Sequence, residues 1–114
     1  MSSIVEKYKL HKEGDLWTTE VLENKYGFRK WSWGEKNAVS GQATRLNPMT
    51  GMITYDSAFF NTQLMVKTVL KEVDGKFVAF TEEEIKNLDG QLGERLFQIT
   101  QSLNLVSNIE AQNL

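Results

Sequence analysis

Apolar residues recur at helical spacing over two stretches in the second half of the chain. Residues 57–71 predict a central helix whose apolar positions continue as far as Val69 and Leu70. Residues 91–107 predict a closing helix with apolar residues at steps of four, three, four and three, a narrow seam by which helices pack along one another. The seam consists of Leu92, Leu96, Ile99, Leu103 and Val106.

The first 30 residues are expected to be extended. A turn at residues 12–15 precedes residues 16–22, which are rich in the Trp and Thr that suit a pleated surface. This pattern predicts a hairpin. Residues 26–31 predict a third strand, with Tyr26 and Phe28 on one face.

Two capping boxes mark helix starts. In each box a hydroxyl accepts from a backbone N–H of the first turn, and a glutamate reaches back to the capping residue. Ser32 with Glu35 begins a helix over residues 33–43, and Thr81 with Glu84 begins a short helix. These signals place most of the helical content after residue 30.

Turn chemistry separates the remaining segments. Pro48 and Gly51 predict a turn, and residues 52–55 alternate like a short strand. A second turn at residues 73–76 precedes an extended segment that ends at Phe80.

These elements predict an α+β fold, with a small N-terminal antiparallel hairpin or sheet followed by a mainly helical part of three to four helices. We expect a single domain over residues 1–114. Its parts are an extended or hairpin region at 1–30, a mainly helical region at 31–107 and a frayed polar tail at 108–114.

Composition restricts the class of protein. Of 114 residues 40% are hydrophobic and 25% charged, the balance of a globular domain rather than of a disordered segment. The absence of cysteine excludes a disulfide framework and a thiolate metal site. The longest uncharged apolar runs, residues 64–66 and 77–80, are far too short to cross a bilayer, and the first 20 residues hold no signal-peptide run. We therefore expect a soluble, intracellular protein.

Charge is unevenly distributed along the chain. The net charge of −2 argues against a dedicated nucleic-acid binder. Residues 1–54 hold eight basic and six acidic side chains, whereas residues 55–114 hold five and nine. A solvated acidic surface on the later helices explains this asymmetry, and head-to-tail self-association between opposite poles is the alternative.

Catalytic groups are sparse. His11 lies at a predicted turn, where a solvated imidazole is expected. The run Glu82, Glu83 and Glu84 suits either a hard cation or the positive end of a helix, and it lacks the spacing of a calcium loop. We expect no enzyme activity, no cofactor and no metal.

Two features of the sequence are candidate binding sites. The first is a basic cluster interleaved with tryptophans, a combination that holds single-stranded nucleic acid or, alternatively, covers the core. It consists of Lys25, Arg29, Lys30, Trp31, Trp33 and Lys36. The second is the seam of the closing helix, which either packs on the central helix or faces a helical partner.

A series of short motifs follows in order between residues 29 and 104. In chain order they are Trp33-Gly34-Glu35-Lys36-Asn37, Ala43-Thr44, Asn47-Pro48-Met49-Thr50-Gly51, Asp56, Phe60-Asn61-x-x-Leu64, Phe80-Thr81-Glu82-Glu83, Leu88-Asp89, Leu92-Gly93 and Leu103-Asn104. This order resembles that of the tail assembly chaperones of long-tailed bacteriophages. The motifs are caps, turns and helix faces rather than catalytic residues.

The resemblance implies a non-enzymatic protein of the host cytoplasm. Members of that family bind the helical tape measure protein and keep it soluble until tail tube subunits polymerise round it. They are usually absent from the finished virion, and many also have a longer, frameshifted form. Met49, Met52 and Met65 would offer adaptable contact surface, with core filling as the alternative for Met65. Two other functions stay open, a small structural virion protein and a nucleic-acid-binding module.

Overall fold

The computed structural model describes residues 3–106, which form α-helices and antiparallel strands and confirm the predicted α+β class. The predicted tail at residues 108–114 lies outside the described residues. In chain order the elements are α1 (Ser3–Tyr8), β1 (His11–Glu13), β2 (Leu16–Val21), β3 (Asn24–Phe28), α2 (Trp33–Ala43), β4 (Thr44–Leu46), β5 (Ile53–Tyr55), α3 (Ser57–Thr68), β6 (Val69–Val73), β7 (Lys76–Ala79), α4 (Glu82–Lys86), α5 (Gly90–Gln101) and a closing π-helical turn (Ser102–Val106).

One sheet joins both ends of the chain. Its antiparallel strands lie in the order β1-β2-β3-β6-β7, and β4 and β5 form a separate hairpin. The central strand β3 pairs on one side with β2 and on the other with β6, where Phe28 lies opposite Val69. The sheet is therefore not confined to the first 30 residues, and the region predicted to be mainly helical supplies two of its strands.

The central helix is shorter than predicted, because α3 ends at Thr68 and the chain continues as β6. The prediction that residues 69–71 are helical is wrong. Val69 is fully buried against β3, and the Thr68 carbonyl accepts a hydrogen bond from the Arg29 amide at 2.9 Å. A short apolar run fits either period, and the open edge of β3 selects the strand.

The N-terminal segment also differs from its prediction. Residues 3–8 form α1 instead of an extended strand, and Ile4, Val5 and Tyr8 pack against the core. Their spacing of one and four places them on one side of a helix. The Leu10 amide closes the helix by donating to the Val5 carbonyl at 2.9 Å. The hairpin that follows, β1 and β2 with Gly14 in its turn at φ +63°, is as predicted.

Both predicted capping boxes are present. Ser32 Oγ accepts from the Glu35 amide at 3.0 Å, and Glu35 Oε1 accepts from the Ser32 amide at 2.9 Å. The Thr81 hydroxyl and the Glu84 amide form the equivalent bond at 3.1 Å, with the return bond at 2.9 Å. These caps satisfy backbone donors that a helix start leaves free, which fixes where α2 and α4 begin.

The inner face of the sheet packs on α3 and α5, and two buried clusters form the core. The first joins strands to both helices and contains Leu10, Val21, Tyr26, Phe28, Met65, Val69, Phe80, Ile85, Leu96, Ile99 and Leu103. The second lies between α2 and α3 and contains Trp31, Val39, Ala43, Phe60 and Leu64. Phe97 packs against both clusters, so the two are continuous.

Candidate binding surfaces

The predicted seam of the closing helix lies largely inside the protein. Leu96 is fully buried, Ile99 and Leu103 are buried, and Leu92 is half-buried against the same cluster. Val106 lies in the π-helical turn, and its side chain lies outside the described part of the structure. The core alternative therefore describes how these four side chains pack here. Their contact with a partner stays a prediction, and it would require α5 to repack.

The basic and aromatic cluster is divided between the core and the surface. Trp31 is buried edge-on to Phe60 with ring centroids 5.6 Å apart, whereas Trp33 is 81% exposed in the first turn of α2. Lys30 and Lys36 line a shallow hollow of about 270 Å³ beside the two tryptophans. The structure thus leaves one tryptophan, not two, available for stacking in this cluster.

Two other cations of this cluster form ion pairs. Arg29 holds Glu35 at 2.8 Å, and Lys25 holds Glu13 at 2.9 Å. The hydrogen bond from Arg29 and the Ser32 amide lower the pKa of Glu35 to about 2. Arg29 therefore fixes the start of α2 against the end of β3, a structural use of its charge.

The acidic run at α4 forms hydrogen bonds within the protein. Glu82 contacts Lys86 at 3.0 Å and Gln63 at 2.7 Å, and these bonds lower its pKa. Glu84 contacts Lys71, whose hydrogen bond lowers the Glu84 pKa together with the Thr81 amide. These contacts support the helix-start interpretation. Within residues 3–106 no group of three or more acidic or histidine side chains is arranged to hold a metal ion.

The outer face of the sheet, opposite the helices, has an apolar centre. Register places Leu16 and Gly27 on this side of β2 and β3, and Leu70 and Phe77 on the same side of β6 and β7. In the described part of the chain, Leu16, Leu70 and Phe77 belong to neither buried cluster, and each is half-buried. We call these four residues the outer face.

Gly27 lets side chains lie flat on this surface. A Cβ atom at Gly27 would lie 3.1 Å from Phe77 Cδ1 and 3.3 Å from Leu16 Cδ1, closer than most Cβ contacts allow. A glycine in a strand interior marks such a close approach. Phe77 and Leu16 therefore meet across the central strand and form a continuous apolar surface.

Acidic side chains surround the outer face. Glu13 and Lys25 pair at 2.9 Å, and the Lys25 ammonium lies 5.7 Å from the Phe77 ring centroid. Hydrogen bonds from Lys25 and Thr18 lower the pKa of Glu13, and the same ion pair raises the pKa of Lys25. Glu20 and Glu72 also attract Lys25. With three carboxylates to one ammonium, this rim carries a negative excess.

A second exposed apolar surface is the hairpin of residues 44–55, which we call the arm. Every residue of β4 and β5 is exposed. Register pairs Leu46 with Ile53, which are 65% and 69% exposed, and Met49 at the turn is 92% exposed. Met52 is also exposed, whereas Met65 is buried in the core. Two of the three methionines are thus placed where a partner can reach them.

Contacts at the base hold the arm to the domain. The Asp56 amide donates to the Ala43 carbonyl at 2.8 Å, and Arg45 reaches Asp56 at 3.6 Å. The Arg45 guanidinium lies 5.4 Å from the Phe59 ring centroid, and the Tyr55 ring lies 6.0 Å from that of Phe60. The charge of Arg45 therefore stays at the base, away from the apolar pair.

Sequence reasoning missed both surfaces for one reason, the assignment of strands. Because residues 69–71 were predicted to be helical, Leu70 was placed on a helix rather than beside Gly27 and Phe77. A usable signal was present, since Asp74-Gly75 is a strong two-residue hairpin turn. Strands on both sides of that turn would have brought Leu70 and Phe77 close together.

Comparison with models of known protein families, with curated proteins and with solved structures finds no match for this chain. None of the helices within residues 3–106 combines the length and the apolar composition needed to cross a membrane. The outer face and the arm are therefore interpreted from their own geometry and chemistry.

Proposed function

We propose that this chain is a tail assembly chaperone of a long-tailed bacteriophage, a non-enzymatic protein that binds the helical tape measure protein in the host cytoplasm and keeps it soluble. The order of motifs between residues 29 and 104 supports the proposal through its resemblance to that family. The observation that carries it is the outer face, an apolar sheet surface outside both buried clusters.

A helix is the natural cover for such a surface. Sheets bury an apolar face against helices or a second sheet, and the inner face of this sheet already packs on α3 and α5. A helix of the client would add a layer on the opposite side, burying apolar area at about 25 cal/mol per Å². Glu13, Glu20 and Glu72 favour a helix whose apolar stripe is flanked by Lys or Arg.

Release of the client follows from the same contact. An apolar stripe held on the outer face leaves the chaperone once tail tube subunits enclose the tape measure protein. The tail tube protein is therefore a second proposed partner, and the chaperone does not remain in the mature virion. Both steps need binding only, with no chemical reaction.

The test is co-expression with the tape measure protein and measurement of its soluble fraction. Phe77→Ser removes the aromatic centre of the outer face and should lower the soluble fraction and the amount of complex recovered. Val78→Ser is the matched control, because Val78 is the next residue on β7 and points to the other side. Circular dichroism should show both variants folded.

Two outcomes would contradict the proposal. The tape measure protein could stay insoluble in the presence of the wild-type chain, with no complex recovered. Alternatively, mass spectrometry of purified particles could find the chain as an abundant component, which would favour the structural virion protein instead. Equal activity of the two serine variants would move the contact away from the outer face.

A further inference from the structure

The arm has an apolar face without a cover among residues 3–106. Register places Thr44, Leu46, Ile53 and Tyr55 on one side of the hairpin, and all four are exposed. A two-stranded hairpin is marginal in water unless further strands or another surface pack against it. The geometry of the arm therefore calls for a partner layer on this side.

Charge indicates which partner suits each surface. The four side chains of the arm face are uncharged, and Arg45 lies on the other side of the hairpin, held by Asp56. A two-fold contact places every charge of a surface near its own copy, so it penalises a surface with net charge. The outer face has an acidic rim and would repel its copy, whereas the arm face would not.

We propose that the arm joins two copies of this chain, with the Leu46 and Ile53 side of one arm packed on the same side of the other about a two-fold axis. The two hairpins then form two stacked layers, as in a small β-sandwich. Twelve residues per copy are fewer than the roughly 20–30 of a stable interface, so the dimer forms in a concentration-dependent equilibrium. This proposal does not rest on the proposed function, because it uses a different surface.

Sedimentation velocity of the full chain over a range of concentrations tests the contact. The wild type should change from monomer to dimer as concentration rises. Ile53→Glu brings two carboxylates together at the two-fold axis and should weaken dimerisation at least about a hundredfold, since like charges in an interface cost several kcal/mol. Thr54→Glu, one residue along and on the opposite side, should still dimerise.

A charge-complementation experiment tests the symmetry of the contact. Ile53→Glu and Ile53→Lys should each be monomeric, and an equimolar mixture should form a heterodimer. A wild type that stays monomeric at every concentration, or an Ile53→Glu variant that dimerises like the wild type, would overturn the proposal. Loss of dimer in Thr54→Glu or in Phe77→Ser, but not in Ile53→Glu, would overturn it too. Client solubilisation by the Ile53 variants reports separately on the outer face.

Discussion

The hydroxyl groups of Thr68 and Thr100 hydrogen-bond to each other inside the core and connect the end of α3 to α5. Both side chains are fully buried. Thr68 donates its proton to the Leu64 carbonyl at 2.6 Å, so Thr100 is the donor between the two hydroxyls. Asn104 Nδ2 donates in turn to Thr100 Oγ1 at 3.1 Å, which completes a chain of satisfied polar groups.

Replacing only one of these threonines should cost more than its shape suggests. Thr68→Val keeps the volume and leaves the buried Thr100 hydroxyl without its acceptor, at a cost of about 1–3 kcal/mol. Thr68→Val with Thr100→Val removes both hydroxyls and should be less destabilised than the sum of the single variants. Urea denaturation at neutral pH measures all three. Strict additivity would show that the hydroxyls do not interact.

Acid should weaken the start of α2 through Glu35. Its folded pKa of about 2 lies below the ordinary value of 4.5, so ionised Glu35 favours the folded state above pH 4.5. That contribution is lost progressively as pH falls from 4.5 toward 2. Glu35→Gln should be less stable than the wild type at pH 6, and the difference should shrink by pH 3. Thermal denaturation at the two pH values measures it.

The control for that measurement is Glu83→Gln, which removes an exposed carboxylate from the first turn of α4. Its effect should be smaller at both pH values, because Glu35 alone of the two is held by Arg29. A Glu35→Gln deficit that stays constant between pH 6 and pH 3 would mean that the capping geometry, rather than the charge, stabilises α2.

The turn between β2 and β3 is strained. Leu22 and Glu23 both have positive φ, at 49° and 75°, although neither is a glycine. Left-handed backbone costs roughly 1–2 kcal/mol at such residues, and Asn-Gly is the preferred pair in this kind of turn. Leu22→Asn with Glu23→Gly should therefore stabilise the fold by about 1–2 kcal/mol in urea denaturation.

The neighbouring hairpin provides the reverse control for the turn. Asp74 and Gly75, between β6 and β7, have φ of 52° and 79° and already match the preferred pair. Gly75→Ala should destabilise the protein by about 1–2 kcal/mol for the same steric reason. If the Asn-Gly variant were less stable than the wild type, the Leu22 side chain would have to contribute more than its strain costs.

Local signals predicted much of the fold. Ser32 and Thr81 with their glutamates marked the starts of α2 and α4, because a capping box depends only on residues within one turn. The alternation of Tyr26 and Phe28 indicated the inner face of β3 for the same reason. The end of α3 was not predictable in this way. Val69 leaves the helix to pair with Phe28, a partner 41 positions away in the sequence.

The binding surfaces depended on those long-range pairings. Leu70 and Phe77 reach the outer face only because β6 pairs with β3, so no local pattern placed them beside Leu16. The seam of α5 showed the opposite case. Its spacing correctly indicated a helical packing face, and spacing alone does not distinguish Leu96 in the core from a leucine at an interface.

The acidic rim should decide which helices the outer face accepts. Two synthetic amphipathic helices with the same apolar stripe, one flanked by Lys and one by Glu, serve as probes. The wild-type chain should bind the Lys-flanked helix roughly two- to tenfold more tightly, because exposed ion pairs contribute about 0.2–1 kcal/mol each. Glu20→Lys with Glu72→Lys should reverse that preference. Fluorescence anisotropy with labelled helices measures it.

Ionic strength separates the charge effect from the apolar contact. Raising the salt from about 0.1 M to about 1 M shortens the Debye length from about 10 Å to about 3 Å, so the preference between the two helices should largely disappear. Binding of both should persist at high salt and should be lost in Phe77→Ser, because the apolar centre supplies the affinity. A preference that survives 1 M salt, or one unchanged by the double lysine variant, would mean that the rim of Glu20 and Glu72 does not contact the helix.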